Sequence, residues 1–374
     1  TIFDMYPCMR SRIAFHSPFD FGYNVSSRSK KSVWFSIGVL YGKLFMDLVD
    51  YNKFMQIHLL PPEVASQIAA GEVVERPASV VKELMENSLD AGATTIKIRI
   101  EQAGRRLIEV SDDGSGIHVD ELQLALGRHA TSKLFSTEDL FRIRSLGFRG
   151  EALASIGSVS KLLLVSRSHE ESVGGKVYCE AGIIKGVDES GVPEGTVVRV
   201  EDLFFNVPAR LKFLKTDMTE RTQINGLVTR YAMAYPHVRF FLEQDGKLIL
   251  RTQGNGDQRE VLAQLYGADV ARQMLEVQSD EERATLCGFI SPIALTRSNR
   301  REITFFVNGR WIQDVTLTTA LVHAYHTLLM VGRYPLGFIL LDLDPSDVDV
   351  NVHPAKAEVR FREPDRVLSL VQRS

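Results

Sequence analysis

The sequence predicts an α/β (α+β) fold in two successive domains, and three observations carry that expectation. Residues 96–100 alternate Ile with Lys97 and Arg99, the two-residue period of a half-buried strand. Residues 61–91 have helical spacing, with side chains three and four apart sharing a face. Late in the chain, a strand-like, a helix-like and a second strand-like stretch follow one another, which suits a small α/β unit.

Taken in order, residues 61–91 read as helical with a break at Pro77. Proline suits the first position of a helix, where its missing N–H costs nothing. Residues 96–100 and 107–110 read as strands with Gly104 in the turn, so residues 112–116 form a loop at a strand end. Helices are expected over 120–126, 137–143, 151–156 and 222–235, and strands over 162–166, 197–200 and 240–244. Glycines and small polar residues cluster at Gly254-Asn255-Gly256-Asp257, which marks a boundary. Beyond it come a helix over 259–265, strands over 303–307 and 338–342, and a helix over 315–329 between them. The expected domains are 55–254 and 258–374, preceded by an atypical extension at 1–54.

Bulk properties narrow the class. At 374 residues, with 44% hydrophobic and 24% charged residues, the chain is long enough for two cores of ordinary globular composition. A formal charge of -3 excludes a globally basic nucleic-acid binder but not a local basic surface. Cys8, Cys179 and Cys287 are far apart and lack metal-ligand spacing, so free thiols in a reducing compartment are expected. The apolar stretch at 32–42 falls well short of the roughly 20 residues a membrane span needs. Residues 1–54 carry seven Lys/Arg against four Asp/Glu. Asp4 and Asp20 fit a targeting peptide poorly, and Met55 opens a segment that reads as a natural beginning.

Several segments carry chemistry. On a helix, Glu83, Glu86, Asn87 and Asp90 share a face, while Val81 and Met85 point toward a core. A carboxylate can position and deprotonate water, and an amide oxygen is a suitable hard ligand for Mg²⁺. The alternative is a solvated acidic stripe. Asp112-Asp113-Gly114-Ser115-Gly116 follows a strand; its glycines allow close approach, and an ionised Asp112 accepts hydrogen bonds of the kind an adenine amine offers. The alternative is a plain strand-to-helix turn. Gly147-Phe148-Arg149-Gly150 precedes a helix-like stretch whose first N–H groups suit phosphate, and Ala130-Thr131-Ser132-Lys133 adds hydroxyls and a cation. The Walker pattern is absent. Lys356, in Asn351-Val352-His353-Pro354-Ala355-Lys356, is either a phosphate-sensing point charge from the second domain or an exposed turn lysine. Arg210, Lys212 and Lys215, and Arg297, Arg300, Arg301 and Arg310, could line a phosphate-backbone surface or simply a solvated face. His323 and His326 have no third ligand in view and read as packing or surface residues.

In this order the segments closely resemble the N-terminal ATPase region of the MutL family of DNA mismatch-repair proteins. The matching stretches also include Gln67-Ile68-Ala69-Ala70-Gly71-Glu72-Val73-Val74, Asn206-Val207-Pro208-Ala209-Arg210 and Val307-Asn308-Gly309-Arg310. The resemblance implies a GHKL-type α/β sandwich with a mixed, largely antiparallel sheet, then a smaller ribosomal-protein-type second domain. It implies Glu83 as general base, Asn87 as Mg²⁺ ligand, and Asp112 as adenine reader, with Gly114 and Gly116 shaping the base pocket. Thr131, Ser132, Lys133, Gly147, Phe148, Arg149 and Gly150 would form the phosphate-covering lid. Thr196 would support the adenine-side aspartate, and Lys356 would sense the terminal phosphate.

The same resemblance implies slow ATP hydrolysis gating an ATP-dependent homodimer, and DNA bound without sequence preference through Arg210, Lys212, Arg300 and Arg310. Partners would be a mismatch-recognition protein of the MutS family and a downstream nuclease or helicase, in a bacterial-type cytoplasmic, nucleoid-associated setting. The family's C-terminal dimerisation region lies beyond this sequence, so no nuclease activity is expected of it. Asp113 stands where the family more often has Asn. Rival readings are a non-catalytic ATP-driven binding module and, among enzymes, a topoisomerase or chaperone ATPase.

Overall fold

Prolines start the first two helices, α1 (Pro62–Val73) and α2 (Pro77–Asp90). The computed structural model describes residues 57, 59–136, 138–139, 143–350, 352 and 358–374. The chain divides into units Thr1–Leu60 and Pro61–Ser374, and every element below belongs to the second. The expected extension at 1–54 lies outside the described residues. Pro77 occupies the first turn of α2, as its missing N–H requires. The helix ends where Gly92 takes φ 72°, a left-handed conformation that glycine adopts without strain.

The first sheet contains β1 (Thr95–Glu101), β2 (Leu107–Asp112), β3 (Lys161–Arg167), β4 (Gly174–Glu180), β5 (Ile183–Ser190), β6 (Gly195–Glu201), β7 (Arg239–Gln244) and β8 (Lys247–Arg251). Their order is β5-β4-β3-β6-β2-β1-β7-β8. Only β1 and β7 pair in parallel; every other neighbouring pair is antiparallel. Ile96, Ile98 and Ile100 of β1 are at most 1% exposed, while Lys97 and Arg99 face solvent. Each such isoleucine contributes about 1.5–3 kcal/mol of hydrophobic burial. Val80, Val81, Leu84 and Met85 of α2 share this core with α3 (Ala152–Ser158), α4 (Pro208–Phe213) nearby, and α5 (Asp217–Ala234) through Ile224, Leu227 and Val228. Helices therefore cover the face to which the isoleucines point.

α6 (Gln258–Tyr266) leads into a second sheet of β9 (Leu275–Glu281), β10 (Ala284–Ile290), β11 (Ile303–Val307), β12 (Arg310–Ile312) and β13 (Gly337–Leu343), ordered β12-β11-β13-β10-β9. β11 and β13 are parallel, joined through β12 and helix α7 (Val315–Ala324), so the expected strand, helix, strand unit is present with a hairpin strand inserted. Phe305, Val307, Ile339 and Leu341 pack against α7 and α8 (Pro364–Arg373). Phe306 and Phe338 point the other way and join the core of the first sheet. β11 is thus buried on both faces, which its unbroken run Ile-Thr-Phe-Phe-Val reflects.

Some expectations shift. α7 stops at Ala324 instead of reaching 329, because Tyr325 and His326 close tight turns and Thr327 takes φ 67°. Residues 120–126 form a 3-10 turn (Val119–Glu121) and one helical turn (Leu122–Ala125). The expected helix over 137–143 falls largely outside the described residues. β4, β5, β8, β9, β10 and β12 have no counterpart among the strands expected from the sequence. Among the described residues no helix is long and apolar enough to cross a membrane.

Phe306 is fully buried at the seam between the two sheets. Phe306→Ala is expected to cost about 3–5 kcal/mol by opening a cavity there, read as a lower urea midpoint. An unchanged midpoint would show that the seam does not stabilise the fold.

Candidate active site

The acidic face of α2 is not solvated. Glu83 is 6% and Glu86 2% exposed, against Val81 and Met85 at 0%, so both sides of the helix are covered. Charges this deep need partners. Lys82 Nζ lies 2.8 Å from Glu86 Oε1, and the Tyr231 hydroxyl donates to the same carboxylate. Burial and the nearby Glu86 push the Tyr231 phenol well above its ordinary range, so it remains a donor.

Asp90 ends α2, where the helix dipole disfavours a carboxylate. Three donors offset this: Leu146 N–H at 2.7 Å, Gly147 N–H at 2.9 Å and Lys133 Nζ at 2.5 Å. Lys133 Nζ also donates to Asn87 Oδ1 at 3.0 Å. Asn87, Lys133 and Gly147, singled out separately in the sequence, therefore meet at one point. A Cβ on Gly147 would lie 2.9 Å from Lys133 Nζ, so a larger residue there would require the lysine end to shift. Gly150, at φ 62°, packs on the Ala130 backbone, where a Cβ would come within 2.5 Å of the carbonyl oxygen. The two lid segments are thereby held to each other and to α2. Thr131 Oγ1 accepts from Lys133 N–H at 3.1 Å, Ser132 is exposed, and Phe148 is 4% exposed with the Arg149 guanidinium 5.6 Å from its ring centre.

Asp112 lies at the end of β2. Ser88 Oγ donates to Oδ2 at 2.7 Å and Gly114 N–H to Oδ1 at 3.0 Å. Burial raises its pKa above the usual carboxylate value, against the lowering effect of the bonds from Ser88, Gly114 and the Thr196 backbone. Asp113 is different in kind. Burial would raise it, but Thr94 and Thr95 outweigh that with hydrogen bonds and hold it below the ordinary value. Thr94 N–H, Thr94 Oγ1 and Thr95 N–H reach it at 2.8, 2.7 and 2.7 Å. Asp113 thus fastens the loop while Asp112 faces inward. Gly116, at φ 71°, lies where a Cβ would be 2.1 Å from the Arg167 carbonyl oxygen. Thr196 sits opposite Asp112 across β2 and β6, with its hydroxyl 2.9 Å from Ser166 Oγ.

Lys356 lies outside the described residues. The basic candidates divide. Lys212, Lys215, Arg300 and Arg301 are exposed on two separate segments, and Arg300 lies 5.1 Å over the Tyr334 ring. Arg210 is half-buried and donates to Gln67 O at 3.0 Å, tying α4 to α1. Arg310 requires a correction. Expected at a phosphate-backbone surface, it is 2% exposed, donates to the Ser145 carbonyl, and lies 5.6 Å from the Phe148 ring centre. Burial lowers its pKa, and the nearby Glu86, Asp90 and Tyr231 act against that.

Asp90, Ser88, Ser166 and Tyr231 were not assigned roles from the sequence. Asp90 was legible as a member of the α2 face. The other three act across elements far apart in sequence, and no local pattern marks them.

Two family patterns match the chain. One, described as "Histidine kinase-, DNA gyrase B-, and HSP90-like ATPase", covers residues 75–194; the other, "DNA mismatch repair protein, C-terminal domain", covers 262–374. The chain is 48% identical over 316 residues to the DNA mismatch repair protein MutL of Staphylococcus saprophyticus, covering 84% of this chain and 48% of that protein. It is likewise 48% identical over 312 residues to the DNA mismatch repair protein HexB of Streptococcus pneumoniae, covering 83% and 48%. The chain thus spans about half the length of the curated relatives it matches. Among solved structures, the Aquifex aeolicus MutL ATPase domain complexed with ADP has a TM-score of 0.58 and 31% identity over 81% of this chain and 99% of its own. The N terminal domain of a DNA repair protein has a TM-score of 0.71 and 28% identity, covering 82% and 95%.

The raised Asp112 carboxyl generates a pH prediction. Its folded pKa exceeds its unfolded one, so it destabilises the fold as pH rises through that interval and costs nothing below it. Removing the Ser88 donor raises it further, so Ser88→Ala is expected to shift the Asp112 carboxyl titration upward, followed by carboxyl carbon NMR. A midpoint that stays or falls would contradict the assigned role of Ser88. For Gly116→Ala, the left-handed backbone and the Arg167 clash are expected to cost about 1–3 kcal/mol, seen as a lower Tm; an unshifted Tm would count against it.

Proposed function

This chain belongs to the MutL family of DNA mismatch-repair proteins, and from that premise we propose that it is a slow, Mg²⁺-dependent ATPase whose nucleotide state gates N-terminal dimerisation. The observation that carries this reading is the junction at the end of α2. There one helix sets Asn87 and Asp90 against both lid segments, with the buried Glu83 one turn earlier, while its Ser88 reaches Asp112.

In this reading Asp112 accepts a hydrogen bond from the adenine amine, with Ser88 and Gly114 fixing the carboxylate's orientation and Thr196 beside it. Gly114 and Gly116 form the floor of the base pocket. Thr131, Ser132 and Lys133 cover the phosphates from one side, and residues 147–150 from the other, offering backbone N–H groups and the Arg149 cation. Glu83 takes the proton of the attacking water on its carboxylate, inside a buried site that excludes other water.

The residues present fit a hard divalent cation. Asn87 Oδ1 and Asp90 Oδ2 are oxygen donors that already hold a cationic group, the Lys133 ammonium, at 3.0 and 2.5 Å. Asn87 would hold Mg²⁺, which when bound neutralises phosphate charge. Lys133 then turns from Asn87 toward the phosphates. Because closing both lid segments reorganises much of the site, turnover is limited by conformation. Lys356 senses the terminal phosphate from the second domain, and nucleotide binding shifts the population toward the closed dimer. Lys212 and Arg300, both exposed, contribute to sequence-tolerant, salt-sensitive DNA binding, with Arg210 as support for α4. Signalling to a MutS-type protein and a downstream nuclease or helicase completes the proposed role.

Steady-state ATP hydrolysis with Mg²⁺ over a range of protein concentrations tests this. Turnover is expected to rise faster than linearly with protein, and Glu83→Ala to lower it by about 10²-fold or more while nucleotide still binds. Equal rates in both proteins would remove Glu83 as base. Nucleotide binding without turnover in either would favour a non-catalytic binding module.

A further inference from the structure

Arg310 belongs to the second sheet, yet its guanidinium donates to Ser145 and lies beside Phe148, both in the 145–150 segment. It starts β12, immediately after the Asn308-Gly309 turn that leads from β11. That turn is fastened to α5: the Tyr235 hydroxyl donates to Gly309 O at 2.8 Å, and a Cβ on Gly309 would meet that hydroxyl at 2.4 Å. One residue on, the buried Arg310 guanidinium donates through Nη2 to Ser145 O and lies beside Phe148. Nη1 has no hydrogen-bond partner among the described residues.

Ser145 opens the segment that leads into the glycine loop. Its hydroxyl donates to Gly147 O at 2.7 Å, and the next two N–H groups, of Leu146 and Gly147, are held by Asp90. The strap 145–147 is therefore gripped from two sides. Asp90 of α2 accepts from its N–H groups, and Arg310 of the second sheet donates to its carbonyl. Glu86 and Asp90 provide the negative field that keeps a buried guanidinium in place. A buried arginine spent on a backbone carbonyl fixes geometry; it is not available to a DNA phosphate.

We propose that Arg310 is a positioning residue for the phosphate loop, through which the second sheet sets the 145–150 strap for nucleotide. The loop is ordered in advance only while the second sheet holds its place on α5, so the ordering cost of nucleotide binding depends on that sheet. The nucleotide consequence rests on the reading of 147–150 as a phosphate loop; the ordering of the strap does not.

The test compares Arg310→Met, which keeps length and apolar volume but no donor, with Arg310→Lys, which keeps a charged donor. Amide hydrogen exchange of the nucleotide-free chain is read at Leu146 and Gly147, with β3 amides as a control for intact folding. Arg310→Met is expected to speed exchange at the two strap amides about tenfold, the scale of one lost charge-assisted hydrogen bond, with β3 unchanged. It should also raise KM for ATP about tenfold with kcat within about twofold, since fewer molecules hold the competent loop. Arg310→Lys should recover most of both effects, which a role in filling volume alone would not require. If Arg310→Met exchanges like wild type at the strap, or Arg310→Lys exchanges as fast as Arg310→Met, the proposal is overturned. Unchanged exchange with a DNA-binding salt slope lowered by about one would also overturn it, and would make Arg310 a phosphate-backbone contact. Faster strap exchange with no ATP turnover in any protein, wild type included, would uphold the positioning role and sink the ATPase reading instead.

Discussion

The buried hydrogen bond between Tyr231 and Glu86 joins the parts of this molecule on which the site depends. Glu86 sits on α2, on the helix face that carries Glu83 and Asn87, and Tyr231 comes from the last turn of α5. A carboxylate 2% exposed is costly unless paired, and here Lys82 and the Tyr231 hydroxyl share the task. The ring of Tyr231 meets Phe306 of the second sheet edge-on, 5.4 Å between centres at 84°. One side chain thus fixes the register of α2 on α5 by its hydroxyl and seats the second sheet by its ring. If α2 rotated or slid, Glu86 would lose its donor, and Asn87 and Asp90 would leave the lid.

Charge balance then sets the geometry of the site. α2 ends in a carboxylate at the unfavourable pole of its dipole, and Asp90 is satisfied only because the lid brings two N–H groups and an ammonium to it. The lid in turn is shaped by Gly150, whose left-handed backbone packs on Ala130 where a Cβ would not fit. Lid order and helix-end electrostatics are one arrangement, because the same carboxylate holds Lys133 and the strap at 145–147.

Much of the fold was legible in local pattern. The alternation at 96–100, the Pro77 start of α2 and the strand, helix, strand order of the later part all reflect short-range physics, and the structure keeps them. Strands β4 and β5 were not, because β5 is an exposed edge strand with no apolar alternation and β4 opens on two glycines. The end of α7 was overrun because residues 325–329 remain apolar enough to look helical while the backbone turns at Thr327. Among the candidate residues, Glu83, Asn87, Asp112 and the glycine loop were singled out by residue type and spacing, with a solvated stripe or a plain turn left open. Ser88, Ser166 and Tyr231 were not, since their partners lie on other elements.

By itself the sequence determined which residues can do chemistry and the family to which they belong, because carboxylate, amide and glycine types at fixed spacing along one helix and two loops are local properties. Only the tertiary structure decided their environment. It buried the acidic face of α2 that spacing alone left open between a site and a solvated stripe. It also turned Arg310 inward, from a residue that charge alone grouped with a DNA surface to one that holds the lid. The physical reason is that burial and pairing depend on what packs against a side chain, and here the partners are distant in the chain: Tyr231 of α5 lies 145 residues from Glu86, and Arg310 of the second sheet 165 from Ser145.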